Sequence, residues 1–527
     1  MNLPRLHFMG LRASYARASD RWAGQTARLI RDAGVYALAA AAAPLVSLLL
    51  APFLTRYLTL TDYGILAVLL TAISLIAGIT QLGLGSAFFR AYGYDFTGDE
   101  DRRRVLATAF ILLCAVATPL MILCYAVAPI AAQVFFGDAT RANLIVLSGL
   151  AILAQNLALP GFSWMRAESR ATRYAVLSIV NLTINLGCTL ILVGSVRLGI
   201  AGALIGVGAG YAAVCLLTLP AIVHHASLRL HREIAWSMLA FGVPQVGSVI
   251  SFWVLQLSDR TLLSHFASYA ETASYAVAYS LGSILSTLVL NPFNLAWPTT
   301  LFAVARRPDA ARTFGQIFHW FGLVLLVAAY SFSLVGIAVL YLLFPPSYHT
   351  AAPVIPVIAL SVAMYGAYLM FLTGTSIKRK TPLAAAFMTV AAIVNVGLNV
   401  FLIPAFGAMG AAAATLLAYM ALAFVTYLAN QRLYPIPFRV GRFVQWTLVS
   451  IVIFALSYWL AQRRGGGGGV VVMMTGLLLF ICSIAVIEWR SAPVGLLGDG
   501  AKRAEQFPSS SPTHGAMMSQ EAEEREA

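Results

Sequence analysis

The feature that most constrains this sequence is a succession of apolar runs, each about 20 residues long, separated by short polar breaks. A run of that length crosses the hydrocarbon core of a bilayer as a helix, and in lipid only helices and closed barrels satisfy their own backbone polar groups. The windows predict spans at 33–54, 63–88, 105–128, 143–164, 174–194 and 200–223. After a polar break they resume at 237–257, 273–297, 317–343, 353–375, 383–403, 410–430, 443–461 and 470–488. The fold class read from this pattern is an all-α polytopic membrane protein with about fourteen transmembrane helices. Composition supports it: 60% of the 527 residues are hydrophobic and 10% charged, far from the balance of a soluble chain.

Charge distribution sets the orientation. With the N-terminus inside, 28 of the 34 Lys and Arg fall in cytoplasmic segments, and Arg56, Arg141, Arg197, Arg260, Arg463 and Arg464 fall on the other side. That asymmetry predicts both termini in the cytoplasm. The net charge of +14 is spread between apolar runs, whereas a nucleic-acid binder gathers its basic residues on one face of a folded domain; no nucleic-acid partner is expected. Residues 1–32 carry six arginines without a short apolar core and cleavage site, so they are expected to stay as a basic cytoplasmic tail. Residues 489–527, rich in Ser, Glu and Pro, are expected to be a disordered cytoplasmic tail, and Gly465 to Gly469 a flexible hairpin tip. Cys114, Cys124, Cys188, Cys215 and Cys482 all sit in apolar stretches with no CxxC pair and read as small packing residues.

The chain repeats a pattern. Asn181 and Asn185 are followed by Gly199, Gly202 and Ala203, and Asn395 and Asn399 by Gly407, Gly410 and Ala411. Arg56 ends the first span, and Asp259 and Arg260 end the seventh. Both halves start inside, so the expected plan is two parallel six-helix repeats around a central cavity: an N-terminal bundle at 33–223, a cytoplasmic linker at 224–236 and a C-terminal bundle at 237–430. Two extra helices follow at 443–488. Gly202, Gly206 and Gly210, at four-residue spacing, read as close helix packing. Pro44 and Pro244, in the first span of each half, mark expected bends.

No catalytic constellation emerges. There is no Walker A loop, HExxH, GxSxG or paired carboxylate within a span, and no cofactor motif. His224, His225 and His231 share a loop with Arg229 and Arg232, which suits a solvated face, and Asp99 and Asp101 abut Arg102, Arg103 and Arg104; no metal site is expected. The chain reads as a carrier and not an enzyme. An ionisable residue near a span interior is costly and marks function by default, which singles out Arg56, Arg90, Asp259 and Arg260. Each arginine could equally snorkel to the interface, but the paired placement of Arg56 and Arg260 favours a shared cavity for an anionic head group. Asp259 has Arg260 beside it as a candidate ion-pair partner.

The stretches Leu54 to Gly64, Leu257 to Leu263 and Asn395 to Ala411, together with the order of spans over roughly residues 30 to 430, resemble polysaccharide flippases of the Wzx type in the multidrug/oligosaccharidyl-lipid/polysaccharide (MOP) exporter superfamily. The resemblance implies translocation of undecaprenyl-pyrophosphate-linked oligosaccharide across the bacterial cytoplasmic membrane. Its implied partners are that lipid-linked substrate, membrane lipids and a polysaccharide polymerase or export complex. It also implies that Arg56, Arg260 and Arg90 bind the anionic head group, and that Asp259, Asn395 and Asn399 gate or couple. A multidrug antiporter would be expected to need an acid in the first span, and 33–54 holds none. A membrane glycosyltransferase or polymerase would need a larger outer loop, and a lipid II exporter of the same superfamily stays open.

Overall fold

The computed structural model describes Val46 and residues 50–96, 98–225, 229–378, 380–464 and 466–491. The expected basic tail at 1–32, most of the first span, Pro44 and the tail beyond 491 lie outside the described residues. The helices in chain order are α1 (50–57), α2 (Leu60–Thr80), α3 (Leu84–Arg90), α4 (Asp99–Phe136), α5 (Ala142–Ala167), α6 (Ala171–Thr189), α7 (Gly199–His225) and α8 (Arg232–Phe266). They continue with α9 (Tyr269–Gly282), α10 (Asn291–Ala305), α11 (Ala310–Leu343), α12 (Val354–Phe371), α13 (Thr373–Ile377), α14 (Thr381–Leu433), α15 (Val440–Arg464) and α16 (Gly466–Ser491). Among the described residues there is no strand, and 12 helices are long and apolar enough to cross a membrane.

Each expected interval from 63–88 onward overlaps one of these helices, and the two at 383–403 and 410–430 share one. That helix, α14, bends at Gly407, where φ 55° and ψ −132° are not helical. Gly199, its counterpart in the sequence repeat, also has a left-handed φ of 59°. The glycines at 466–469 are helical and open α16 instead of forming a loose tip. In an apolar environment the intrahelical hydrogen bond is the cheapest partner for a backbone amide, which overrides the low helix propensity of glycine.

Local signals explain the element ends. Thr59 caps α2, its hydroxyl oxygen accepting from the Asp62 backbone N–H at 3.1 Å and its hydroxyl donating to the Asp62 carboxylate at 2.8 Å. Asp62 also meets Arg141 at 3.3 Å, tying the α2 start to the α4–α5 turn. Gly137 ends α4 with φ 67°, and the Ser268 hydroxyl accepts from Glu271 N–H at the start of α9.

The chain divides into two compact units, the first ending at Leu448 and the second beginning at Val449. Within the first, α2 packs against α5, α8 and α9, and α12 against α9, α11 and α14. The α2 residues Ile65, Leu66, Leu69 and Ile73 belong to a buried cluster with Tyr275 and Leu281 of α9 and Ile355 and Ile358 of α12. Ile122, Tyr125 and Ile130 of α4 are exposed, as expected of a lipid-facing surface. Two glycine contacts bring backbones unusually close. A Cβ on Gly64 would lie 1.9 Å from the Tyr269 carbonyl oxygen, and one on Gly83 would lie 2.2 Å from that of Gly242. Gly206 and Gly210 of α7 likewise face the Asn185 and Asn181 carbonyls of α6, at 2.9 and 2.6 Å from a built Cβ. In the second unit, Phe454 and Tyr458 stack and Arg463 lies 3.8 Å from the Trp459 ring centroid.

Candidate functional site

Helix α8 does not stop at residue 257 but runs on to Phe266, which places Asp259 and Arg260 inside it. Asp259 is 1% exposed. Such a carboxylate needs partners, and it has three. The hydroxyls of Tyr275 and Thr415 each donate to Oδ2 at 2.6 Å, and the amide Nδ2 of Asn399 donates to Oδ1 at 2.9 Å. Nδ2 of Asn399 also donates to Oδ1 of Asn395 at 3.0 Å, and Ser258 Oγ donates to that same oxygen at 3.4 Å.

The helix geometry explains the assembly. Asn395 and Asn399 are four residues apart on the first arm of α14 and so share a face, Thr415 comes from the arm beyond Gly407, and Tyr275 lies on α9. Oδ1 of Asn399, Nδ2 of Asn395 and the Tyr419 hydroxyl are buried with no hydrogen-bond partner among the described residues. Both carboxylate oxygens of Asp259 are thus occupied by hydrogen-bond donors. No group of three or more His, Cys, Asp or Glu that could hold a metal occurs among the described residues.

Arg260 does not pair with Asp259 as their adjacency suggested. Its Nη1 donates to Thr71 Oγ1 at 3.4 Å, its guanidinium lies 5.0 Å from the Tyr279 ring centroid, and its Nε is buried without a hydrogen-bond partner among the described residues. The Tyr279 hydroxyl donates to Gln256 Oε1 at 2.8 Å, and Trp253 Nε1 donates to the Thr71 carbonyl at 3.1 Å. Arg56 is exposed and donates from Nη2 to the Leu343 carbonyl at 3.4 Å. Arg90 is exposed, pairs with Asp95 at 3.3 Å and stacks 4.8 Å from the Phe241 centroid.

The structure thus brings Asp259, Asn395 and Asn399 together, sets Arg260 next to them on the α2-facing side, and keeps Arg56 and Arg90 apart. In chain order Arg56 precedes α2 and Arg90 ends α3, while Arg260 reaches α2 at Thr71. At a rise of about 1.5 Å per residue, Thr71 is about 16 Å along the helix from Leu60. Tyr275, Thr415, Ser258 and Thr71 were not singled out by the sequence; the one available signal was their polarity within apolar runs.

Residues 53–314 match the family model described as polysaccharide biosynthesis protein. Among solved structures, the chain is similar to the lipid II flippase MurJ in an inward closed conformation, with a TM-score of 0.64 at 15% identity, covering 86% of this chain and 98% of that one. It is also similar to an inward-facing MATE multidrug resistance transporter of the MOP superfamily, with a TM-score of 0.55 at 15% identity over 76% of this chain and 99% of that one. A mutant of the Vibrio cholerae MATE transporter VcmN gives a TM-score of 0.54 at 14% identity over 77% and 96%. No curated protein matches the sequence. The likeness to these structures shows a shared fold, that of a multi-pass helical membrane protein. Residues 53–314 carry the similarity to the polysaccharide biosynthesis family.

Proposed function

We propose that the chain is a flippase moving undecaprenyl-pyrophosphate-linked oligosaccharide repeat units across the bacterial cytoplasmic membrane, by alternating access of bundles at 33–223 and 237–430. The observation that carries this reading is the Arg260 guanidinium, reaching from α8 to α2 with its Nε buried and without a hydrogen-bond partner among the described residues. A cation in that setting is costly unless an anion arrives to meet it, and a guanidinium grips pyrophosphate oxygens in a bidentate fork. The family match at 53–314 supports a polysaccharide precursor as the cargo, and the MurJ fold supports a lipid carrier. Arg90, Arg260 and Arg56 would meet the head group in turn.

Asp259 with Asn395 and Asn399 is the proposed gating or coupling element. Protonation or cation binding at Asp259 would redistribute hydrogen bonds to Thr415 and Asn399 on both arms of the bent α14, and so bias its angle. Deleting the gene should strand lipid-linked repeat units on the cytoplasmic leaflet and abolish one surface polysaccharide. Arg260→Ala should express normally and lower export. A deletion that leaves polysaccharide intact but sensitises cells to cationic drugs would replace this reading with drug export, and one that blocks peptidoglycan precursors would replace it with lipid II transport.

A further inference from the structure

A cavity of about 150 Å³ opens where the first turn of α4 meets the last turn of α5, at the arginine-rich end of the bundle. It is lined by Tyr92, Asp99, Arg102, Arg103, Trp164 and Glu168, with Leu106 behind them. Its floor is rigid. The Tyr92 hydroxyl and Trp164 Nε1 both donate to Glu168 Oε1, at 2.7 and 2.9 Å, and Arg170 pairs with the other carboxylate oxygen. Both Glu168 oxygens are therefore engaged, and its charge is met by Arg170.

The walls differ. Arg104 takes up both Glu100 and Asp101, leaving Arg102 and Arg103 without a carboxylate partner among the described residues. Arg102 lies over the Tyr92 ring at 5.4 Å, and its Nε is buried with no hydrogen-bond partner among the described residues. Two guanidiniums, one lying over an aromatic face, converge on a cup that also presents the Asp99 carboxylate and an indole. Arginine forks match phosphate oxygens, and a carboxylate beside them accepts from a hydroxyl or amine. Pockets for drug-sized ligands run to about 300–1,000 Å³, so this cup admits a head group and not a whole repeat unit.

We propose that this cup binds a phosphate ester bearing a nearby hydroxyl or amine, with the phosphate oxygens on Arg102 and Arg103 and the hydroxyl or amine hydrogen on Asp99. Two sources carry that chemistry: the pyrophosphate-linked sugar of the cargo and a phospholipid head group of the inner leaflet. Only the first source rests on the flippase reading. The cup would be a loading site at the mouth, distinct from Arg260 deeper in the bundle.

The test is native mass spectrometry of the purified full chain in an Arg260→Ala background, which removes the deeper cation. It is titrated separately with uridine diphosphate N-acetylglucosamine, a pyrophosphate-linked sugar, and with dioctanoyl phosphatidylethanolamine. Arg102→Gln with Arg103→Gln should weaken at least one probe about tenfold or more, the effect expected for losing charge-assisted contacts. The exposed Arg103→Gln alone, which cannot disturb the Tyr92 stack, should weaken it severalfold, and melting temperature checks that both variants fold. Selective loss of the sugar nucleotide supports a cargo site, and selective loss of the phospholipid supports a lipid site. Unchanged affinity for both probes overturns the proposal. A phospholipid loss in a chain whose deletion spares polysaccharide would retain the cup and reject the flippase.

Discussion

Replacing Asp259 separates folding from function, and the structure sets the size of each effect. In Asp259→Ala the Thr415 hydroxyl can still donate to the Ala411 carbonyl at 3.1 Å, but the Tyr275 hydroxyl and one Asn399 amide hydrogen lose their acceptor. Two orphaned buried donors cost about 2–6 kcal/mol. In a membrane the unfolded chain finds partners too, which pulls the figure toward about 2–3 kcal/mol. Asp259→Asn behaves differently because the network can invert. The new amide would donate where Asp259 now accepts, so Asn399 turns over to present Oδ1, and Asn395 turns over to present Nδ2 to it. Those are the two side-chain atoms of the asparagines now without partners, so the number of orphans does not rise. The expected cost is within about 1 kcal/mol. Thermal unfolding of the purified chain should place Asp259→Asn near the parent and Asp259→Ala well below it. Export in a complemented deletion strain should fail for both, because neither can carry the charge. If Asp259→Asn melts together with Asp259→Ala, the invertible network is wrong; if it melts normally and exports normally, Asp259 has no coupling role.

Gly64→Ala would drive a Cβ to 1.9 Å from the Tyr269 carbonyl, so α2 must part from α9, and a loss of about 1–3 kcal/mol is expected in thermal unfolding. Gly407→Ala combines a positive φ with a Cβ 2.3 Å from the Glu271 carboxylate; it should cost about 1–3 kcal/mol and lower export even where the protein is folded, if the α14 bend moves during transport. Asn430→Ala removes the acceptor of the Gly374 N–H at 2.6 Å and the donor to the Tyr434 carbonyl at 3.1 Å, which should lower stability by about 1–3 kcal/mol without changing the response of export to Arg260 variants.

How much of this was legible in the sequence follows from what each signal measures. Hydropathy windows located the helices because their length is set by the bilayer, but they ended too early. The window ending at 257 stops at Asp259 and Arg260 because a window averages polarity, whereas a helix continues wherever its polar side chains find partners inside the protein. Asn395 and Asn399 stood out because two amides four residues apart in an apolar run must share a face. Thr415 and Tyr275 did not, since a hydroxyl in a span usually returns to its own backbone, as Thr71 does to the Ala67 carbonyl at 2.8 Å.

The misread pair is the more instructive case. Neighbours on an α-helix at 3.6 residues per turn point about 100° apart, so Asp259 and Arg260 cannot easily share a partner or face each other. Adjacency in sequence, which suggested an ion pair, is therefore what sends the two charges to different elements: the carboxylate to α9 and α14, the guanidinium to α2 and Tyr279. One helix turn thereby joins the proposed coupling carboxylate to the guanidinium proposed to meet the anionic head group. A movement of α8 that served either charge would be felt by the other, which is the physical requirement for coupling an ion to a cargo.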